Sequence, residues 1–290
     1  MPAPKTPTAI LLLVCKDTPG IVTRLTSFIA EHGGNLVDVD FHVDADDSGE
    51  KLFLGRLEWE LPTFTLPRAS LPAALETVCT PFAGRWTLHF SDTTQRIAVF
   101  VSKQDHCMLD LLRRTSFDDV DAQIVLVVSN HLDLKPLADH AGIAFHHIPI
   151  TASTKQAQEV AELELLKAER VDVVVMAKYM QILSPTFIEG FPNTINIHHS
   201  FLPAFVGGKP YHQAFARGVK IIGATAHFAT AELDAGPIIE QECVRISHRD
   251  TVQDLIRKGQ DVERSVLSRA VRLHLLHRIL PYGNKTAVFA

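Results

Sequence analysis

The segment from residue 194 to residue 241 concentrates side chains that can act on a carbonyl group. Asn196 and His198 stand two residues apart in a short apolar run, so a strand would carry both side chains to the same side. Asp234 follows later, beside Gly236 and Pro237. An amide can donate hydrogen bonds to a developing oxyanion, and a histidine can donate or accept a proton near neutral pH. This set predicts attack on a carbonyl carbon through a tetrahedral intermediate.

Two roles are open to Asp234 at this point. Apolar surroundings would raise its pKa, whereas a charged carboxylate would hold His198 or a water molecule in position. Neither a cysteine nor a G-x-S-x-G segment supplies the set with a covalent nucleophile. We therefore expect water or an amine to attack the carbonyl directly.

The ends of strands must bring these side chains together. From residue 96 onward, the sequence alternates between strand-like and helical segments. Val/Ile-rich runs at 97–101, 124–129 and 171–176 alternate with helical stretches, of which 154–170 is the clearest. The alternation predicts an α/β domain with a doubly wound, mainly parallel sheet covered on both faces. Ligands bind such sheets in the crevice at the carboxyl ends of the strands. The pattern at 251–280 predicts one long helix packed across the sheet.

The first 90 residues follow a different pattern. An apolar run at 9–15 suits a buried strand, helical spacing follows at 21–29, and period-two alternation returns at 37–43 and 86–90. The order βαββαβ predicts a ferredoxin-like unit. We therefore predict a first domain at residues 8–90, a polar linker at 91–95 and a second domain at 96–290.

Several motifs of the second domain resemble the folate-dependent formyltransferase family. They are Asn196-Ile197-His198, the Ser200-x-Leu202-Pro203 loop and Asp234-x-Gly236-Pro237. The resemblance implies that Asn196, His198 and Asp234 are catalytic and handle the formyl group of 10-formyltetrahydrofolate. It also implies a folate site, for which we predict Met180, Gln181, Ile182, Leu183, His199, Ala231 and Glu232. Some relatives have Arg at the position of Gln181, which leaves open whether this residue acts through its side chain or its backbone.

The first domain resembles an ACT domain, through Asp17-x-Pro19-Gly20-Ile21-Val22 and Gly33-Gly34-Asn35-Leu36. This resemblance implies a regulatory unit with an amino-acid effector, glycine or methionine, in a homo-oligomer. The fusion of the two domains, with the segments at 198–205 and 209–214, resembles the deformylase branch of the formyltransferase family. That branch hydrolyses 10-formyltetrahydrofolate to tetrahydrofolate and formate, which supplies formate for one-carbon and purine metabolism. The folate is then the substrate, and no cofactor is expected.

The segment after the first strand of the second domain favours hydrolysis over transfer. Relatives that formylate a glycinamide ribonucleotide carry a Gly-rich phosphate loop there, whereas residues 101–107 of this chain have no glycine and include Asp105. A backbone without glycine does not easily wrap a phosphate. Three alternatives remain open: a transferase acting on an amine, a non-catalytic folate or amino-acid sensor, and a metal-dependent hydrolase.

Charge and composition bear on the partners, the cellular compartment and the metal content that we expect. The 290 residues carry a net charge of −5, which predicts no nucleic-acid partner. The four cysteines are scattered without C-x-x-C spacing, which predicts neither disulfides nor a zinc site of that kind and favours the cytoplasm. The apolar run at 9–15 is too short to cross a bilayer, so no membrane association is expected. The adjacent pairs His146-His147 and His198-His199 lack metal-ligand spacing, and we predict no metal.

Overall fold

A computed structural model of the chain describes residues 6–46, 48–115, 122–151, 153–204 and 210–289. The chain forms two compact units, one of residues 1–93 with 276–290 and one of residues 94–275. The motif residues Phe205 and Lys209 lie outside the described residues.

The first unit contains the predicted βαββαβ order. Its elements are β1 (Thr8–Lys16), α1 (Ile21–Glu31), β2 (Leu36–Ala45), β3 (Lys51–Glu60), α2 (Leu71–Cys79) and β4 (Arg85–Phe90). The four strands form an antiparallel sheet in the order β2-β3-β1-β4. The two central strands are therefore the first and third in sequence, which confirms the ferredoxin-like fold.

The second unit is an α/β domain. Its strands are β5 (Gln95–Val101), β6 (Ala122–Ser129), β7 (Ala144–His147), β8 (Val173–Met176), β9 (Thr194–His198), β10 (Ile221–Phe228) and β11 (Ile238–Arg245). Its helices are α3 (His106–Thr115), α4 (Lys135–His140), α5 (Lys155–Ala168), α6 (Pro185–Gly190), α7 (Pro210–Arg217) and α8 (Val252–Leu275). The sheet order is β11-β10-β9-β8-β5-β6-β7.

The five strands from β9 to β7 in this sheet are parallel, and β10 and β11 are antiparallel additions at one edge. β5 lies between β6 and β8, so the winding of the sheet reverses between β5 and β8. Neighbouring residues of β5 such as Val99 and Phe100 are both fully buried, which shows that the two faces of the sheet are covered. The mainly parallel sheet is confirmed, and its strand order places a ligand crevice at the carboxyl ends of β5 and β8.

The last residues of the chain correct two predictions. The long helix ends at Leu275 instead of residue 280, and β12 (Ile279–Tyr282) pairs with β13 (Lys285–Val288). Residues 276–290 belong to the first unit, so the second unit ends fifteen residues earlier than the predicted 96–290. The physical reason is that these residues cover the second face of the first sheet, where Leu280, Tyr282 and Phe289 pack against β1 and β3.

This covering explains the continuous apolar run of β1. One set of its side chains packs with α1 and α2, and the alternate set packs with the C-terminal strand pair. The first set is Ala9, Leu11, Leu13 and Cys15, and the second is Leu12 and Val14. A strand covered on both faces has no polar alternation, because neither face meets water. None of the described helices combines the length and apolar character needed to span a membrane.

Candidate active site

A pocket of about 250 Å³ opens at the carboxyl ends of β8 and β9. Eight of the ten predicted site residues line it: Asn196, His198, Asp234, Met180, Gln181, Ile182, Leu183 and His199. Its remaining lining residues are Met176, Lys178, Tyr179, Ile197, His227, Ala229, Thr230 and Leu233. Residues far apart along the chain therefore meet at the strand ends, as the open α/β fold requires.

Two adjacent antiparallel strands deliver the polar side chains. In the register of β9 and β10, Asn196 lies opposite His227 and His198 lies opposite Thr225. Residues directly opposite each other on one face have closely spaced Cβ atoms. Thr225 supports the loop after β9, because its hydroxyl donates to the Ser200 carbonyl and accepts from the Leu202 amide.

A tight turn after β10 brings Asp234 back toward these strands. Asp234 has a positive φ of 55°, a conformation that Asp adopts more readily than most residues. The Phe228 amide donates to the Pro237 carbonyl at 3.0 Å, which closes the turn. A Cβ atom on Gly236 would lie 1.8 Å from the Phe228 carbonyl oxygen, so only glycine fits there.

His198 and Asp234 are in direct contact and buried. The distance from His198 Nδ1 to Asp234 Oδ1 is 3.1 Å, and the two side chains are 5% and 8% exposed. The Ser200 hydroxyl donates to the Ala204 carbonyl at 2.6 Å, so the same oxygen acts as an acceptor for His198 Nε2 at 2.9 Å. Both ring nitrogens of His198 thus face acceptors, an arrangement that fits the doubly protonated imidazolium.

The charge state of Asp234 follows from the same contacts. Burial is the largest single influence and would raise its pKa, but the hydrogen bonds and charges of His198 and His227 together lower the pKa below the usual range. The alternative in which apolar surroundings raise the pKa of Asp234 is therefore wrong, because the imidazole lies close enough to stabilise the carboxylate. Asp234 is a charged group that can hold a cation or a water molecule.

Asn196 and His227 form a second contact of the cluster. His227 Nδ1 donates to the Phe228 carbonyl at 2.8 Å, and His227 Nε2 lies 3.2 Å from the Asn196 amide nitrogen. This fixes the Asn196 side chain with its NH₂ group toward His227. His227 is 2% exposed and lies 3.8 Å from Asp234, so it belongs to the same cluster.

The loop of residues 180–183 forms the opposite wall. Met180 and Ile182 are 60% and 53% exposed, which is unusual for large apolar side chains beside a pocket. The backbone of the loop is held in place: the Met180 amide donates to the Ser102 hydroxyl, the Gln181 amide donates to the Tyr179 carbonyl, and the Ile182 carbonyl accepts from Lys155. The wall therefore presents a rigid apolar surface to a ligand.

Two carboxylates on α5 anchor this loop from behind. Glu159 accepts from the Ser184 amide at 2.9 Å, and Glu162 accepts from the Tyr179 hydroxyl at 3.0 Å. Glu162 is fully buried, and burial raises its pKa to about 7, although the Tyr179 hydrogen bond acts in the opposite direction. Sequence reasoning missed both residues, which lie on the buried side of a helix whose pattern is otherwise that of a solvated surface.

Not every predicted site residue reaches the pocket. Ala231 and Glu232 lie in the exposed part of the turn before Asp234 and are not among the described residues that line the pocket. Conversely, sequence reasoning did not place His227 among the site residues, although it contacts Asn196 directly. Its two-residue spacing from Thr225 in an apolar strand is the same signal that identified Asn196 and His198.

One group of described side chains has the spacing of a metal site. His106, Cys107 and Glu263 place their ligand atoms within 4.8 Å of one another. The ammonium group of Lys178 already lies 3.1 Å from Glu263, and burial raises the pKa of the Cys107 thiol. A buried ammonium beside the carboxylate and a protonated thiol do not suit a metal cation.

Comparison with known proteins agrees with this fold. A family model described as formyl transferase matches residues 95–271, so the second unit is of the formyl transferase class. The chain is 56% identical to a formyltetrahydrofolate deformylase of Synechocystis sp. over 98% of this chain and 99% of that protein. It is 43% identical to the Bacillus subtilis deformylase over 96% of this chain and 93% of that protein.

A solved structure extends the similarity to the whole chain. The crystal structure of a formyltetrahydrofolate deformylase from Pseudomonas syringae pv. tomato superimposes with a TM-score of 0.94 at 41% identity. The match covers 100% of this chain and 96% of that one. The chain therefore belongs to the formyltetrahydrofolate deformylase family.

Proposed function

We propose that this protein hydrolyses 10-formyltetrahydrofolate to tetrahydrofolate and formate. The observation that carries the proposal is the 3.1 Å contact between His198 and Asp234 inside a pocket that Asn196 also lines. This is an amide donor, an imidazolium and a carboxylate around one ligand space, which suits a carbonyl substrate. The exposed apolar side chains of Met180, Ile182 and Leu233 border the same pocket and suit the flat pterin ring.

In the proposed reaction the formyl group lies between the cluster and the rigid loop. Asp234 orients a water molecule, whose oxygen forms a bond to the formyl carbon while its proton passes to the carboxylate. Negative charge develops on the formyl oxygen, where the Asn196 amide donates a hydrogen bond and the His198 imidazolium supplies positive charge. The carbon–nitrogen bond then breaks, the proton on Asp234 passes to the folate nitrogen, and formic acid leaves and ionises to formate.

The loop after β5 supports water as the acceptor. Its glycine-free segment includes exposed Gln104 and Asp105, followed by buried His106 and Cys107. The Ser102 hydroxyl donates to Asn130 and accepts from the Met180 amide, so both of these hydrogen bonds position the loop of residues 180–183. A phosphate-bearing amine would meet the carboxylate of Asp105 and a backbone without glycine, neither of which favours an anion.

Release of formate with no amine present tests this proposal. Purified protein is incubated with 10-formyltetrahydrofolate, and formate and tetrahydrofolate are measured together. Equal amounts of both products, unaffected by a chelator, support water as the acceptor. Turnover only after addition of an amine would identify a transferase, folate binding without turnover would identify a sensor, and loss of activity on chelation would identify a metal-dependent hydrolase.

The first unit carries the regulatory part of the proposal. Its ferredoxin-like fold supports an ACT-type role, with glycine or methionine as the effector and subunits associated as a homo-oligomer. The helix entry after β1 has the positive-φ Gly20, and Asn35 donates to Glu60 beyond the helix exit. Glycine and methionine are titrated separately into the formate assay, with sedimentation in parallel. A cytoplasmic location and a supply of formate to purine synthesis stay predictions from the sequence.

A further inference from the structure

A second buried cluster lies beside the proposed catalytic one and plays no part in the reaction described above. Its centre is Glu263 of α8, which is 1% exposed. Three side chains from other elements bind its carboxylate: His106 Nε2 at 2.8 Å, Lys178 Nζ at 3.1 Å and the hydroxyl of Tyr211. Lys178 also lines the pocket, so the cluster reaches the ligand space.

The positive charge in this cluster belongs to Lys178. His106 Nε2 faces Glu263, and His106 Nδ1 is buried with no hydrogen-bond partner among the described residues. A proton on Nδ1 would have no acceptor among the described residues, whereas Nε2 faces the Glu263 carboxylate, so the geometry assigns the His106 proton to Nε2. Burial alone would raise the pKa of Glu263, but the His106 hydrogen bond and the Lys178 charge hold it well below its usual range. Glu263 and Lys178 are thus a carboxylate and an ammonium group.

The Lys178 ammonium determines the tautomer of the neighbouring His199. Lys178 Nζ lies 3.2 Å from His199 Nδ1. An ammonium group has only donors, so His199 Nδ1 accepts and cannot carry a proton. His199 is therefore neutral, with its proton on Nε2. Loss of the Lys178 charge would remove this constraint.

His199 in turn stacks on the catalytic histidine. The rings of His198 and His199 have centroids 4.8 Å apart and an interplanar angle of 19°. A second imidazolium at this distance would repel the charged His198, whereas a neutral ring does not. We propose that Lys178 is a positioning residue that keeps His199 neutral and fixed against His198, so that His198 holds its charge during hydrolysis. This inference rests on the proposed function for the role of His198.

The backbone of Lys178 is consistent with a functional constraint. Its φ is 66°, in the left-handed region that a lysine rarely adopts, and its side chain is 6% exposed. Burial of an ammonium group and a strained backbone both oppose folding, so the surrounding structure has to stabilise them. Glu263 supplies that stabilisation from a helix 85 positions later in the chain.

The test has to account for the titratable groups around His199. Among the described residues, those that contact it directly or through one partner include Lys178, Glu263, His106, Cys107, Tyr211, His198 and Asp234. Lys178→Met keeps an unbranched side chain that is one atom shorter and removes the charge. We expect kcat to fall about 10-fold or more, with a smaller change in KM. We also expect the acid limb of the kcat/KM profile to move up by about one pH unit, because His199 can then be protonated beside His198.

Two further variants separate positioning from folding. Lys178→Met combined with Glu263→Gln removes both charges of the pair, so no unpaired charge is left buried. If the proposal holds, this double variant is folded and still shows the low kcat and the shifted acid limb; recovery of the wild-type profile overturns it. Tyr211→Phe removes a Glu263 hydrogen bond but leaves the contact between Lys178 and His199, so it should lower stability without moving the acid limb.

A spectroscopic readout is independent of turnover. Nitrogen-15 NMR of histidine-labelled protein, assigned with a His199→Gln variant, should show His199 neutral with Nδ1 unprotonated at pH 7. A protonated Nδ1 on His199 in the wild type overturns the proposal. If the wild type releases no formate, the proposed function fails, but the tautomer of His199 and its dependence on Lys178 can still be measured.

Discussion

Two clusters of charged and polar groups, one in each unit of this molecule, differ in what surrounds them. In the first unit, Arg56 is 2% exposed and binds Asp38 and Glu58 at 2.7 Å each. Its guanidinium also donates to the carbonyls of Leu276 and His277. In the second unit, Asn196, His198 and Asp234 line a pocket of about 250 Å³.

The difference lies in what completes the hydrogen bonding. Every nitrogen of Arg56 has a protein acceptor, and these contacts join β2, β3 and the C-terminal segment into one unit. Asn196 has one of its two amide hydrogens directed at His227, and its side chain borders the pocket. A cluster whose hydrogen bonds are all made within the protein stabilises the fold. A cluster that borders a cavity can use its remaining donors and acceptors to bind a ligand.

The largest effect on the second cluster is expected from Asp234→Asn. An amide cannot accept the proton of water or stabilise the His198 imidazolium, so kcat should fall about 10³- to 10⁴-fold. Stopped assays of formate release measure the loss. Asp139→Asn, at an exposed ion pair of α4, is the matched control and should keep wild-type turnover. Comparable turnover in the two variants would remove Asp234 from the reaction.

A smaller loss is expected from Asn196→Ala. Removal of a single oxyanion donor costs on the order of 100- to 1000-fold in turnover, while folate binding should persist through the apolar wall. Single-turnover formate release and equilibrium folate binding are measured on the same preparation. Asn193→Ala, three residues earlier in the chain, removes a hydrogen bond to the Asp172 carbonyl outside the pocket and serves as the control. Near wild-type turnover in Asn196→Ala contradicts the assignment.

In the first cluster, Arg56→Met should lower stability and leave turnover unchanged, in contrast to the changes in the second cluster. This change removes the Arg56 donors from two carboxylates and two carbonyls and leaves Asp38 with Arg278 and Glu58 with Thr8 as donors, so the free energy of unfolding should fall by about 3 kcal/mol. Turnover per folded molecule should stay unchanged at low temperature. Urea titration and formate release are compared with those of Arg24→Met, which replaces an exposed arginine of α1 whose guanidinium donates to the Thr77 carbonyl. Loss of turnover without loss of stability would contradict the structural role.

The smallest effect depends on pH and concerns Glu162, which anchors the loop of residues 180–183 through Tyr179. Because the pKa of Glu162 is raised to about 7, its contribution to stability is full below pH 4.5 and is lost as the pH rises through 7. Relative to Glu162→Gln, the wild type should lose up to about 2.5 kcal/mol of unfolding free energy between pH 5 and pH 8. Urea titrations at both pH values measure this difference. The exposed Glu164→Gln should show no comparable change, and a parallel response of the two variants would refute the buried titration.

Local patterns predicted the elements whose structure depends on neighbours along the chain. The apolar runs of β5 and β8 gave the parallel sheet, and the two-residue spacing of Asn196 and His198 placed both at one strand end. The pairing of His227 with Asn196 depends on the antiparallel register of β10, which no local pattern encodes. Glu263 and Lys178 meet only because α8 packs beside the strand ends, so neither residue stands out in its own segment.

The end of the long helix was missed for a related reason. The apolar periodicity of α8 continues past Leu275, and residues 276–280 fit it equally well in sequence. The first sheet competes for these residues, because Leu280 covers the same surface as Leu12 and Leu54. Burial of these residues on the first sheet is more favourable than continuing the helix. Helix propensity alone could not show that this surface was available.

The C-terminal strand pair also dictates an order of events during synthesis. Domains commonly fold as the chain emerges from the ribosome, beginning with the N-terminal one. Here the first unit lacks the cover of one sheet face until Phe289 has been translated, and until then Leu12, Val14 and Leu54 remain open to water or to chaperones. The second unit, complete at Leu275, reaches its full sequence earlier, so the part of this protein that is made first is the last that can be finished.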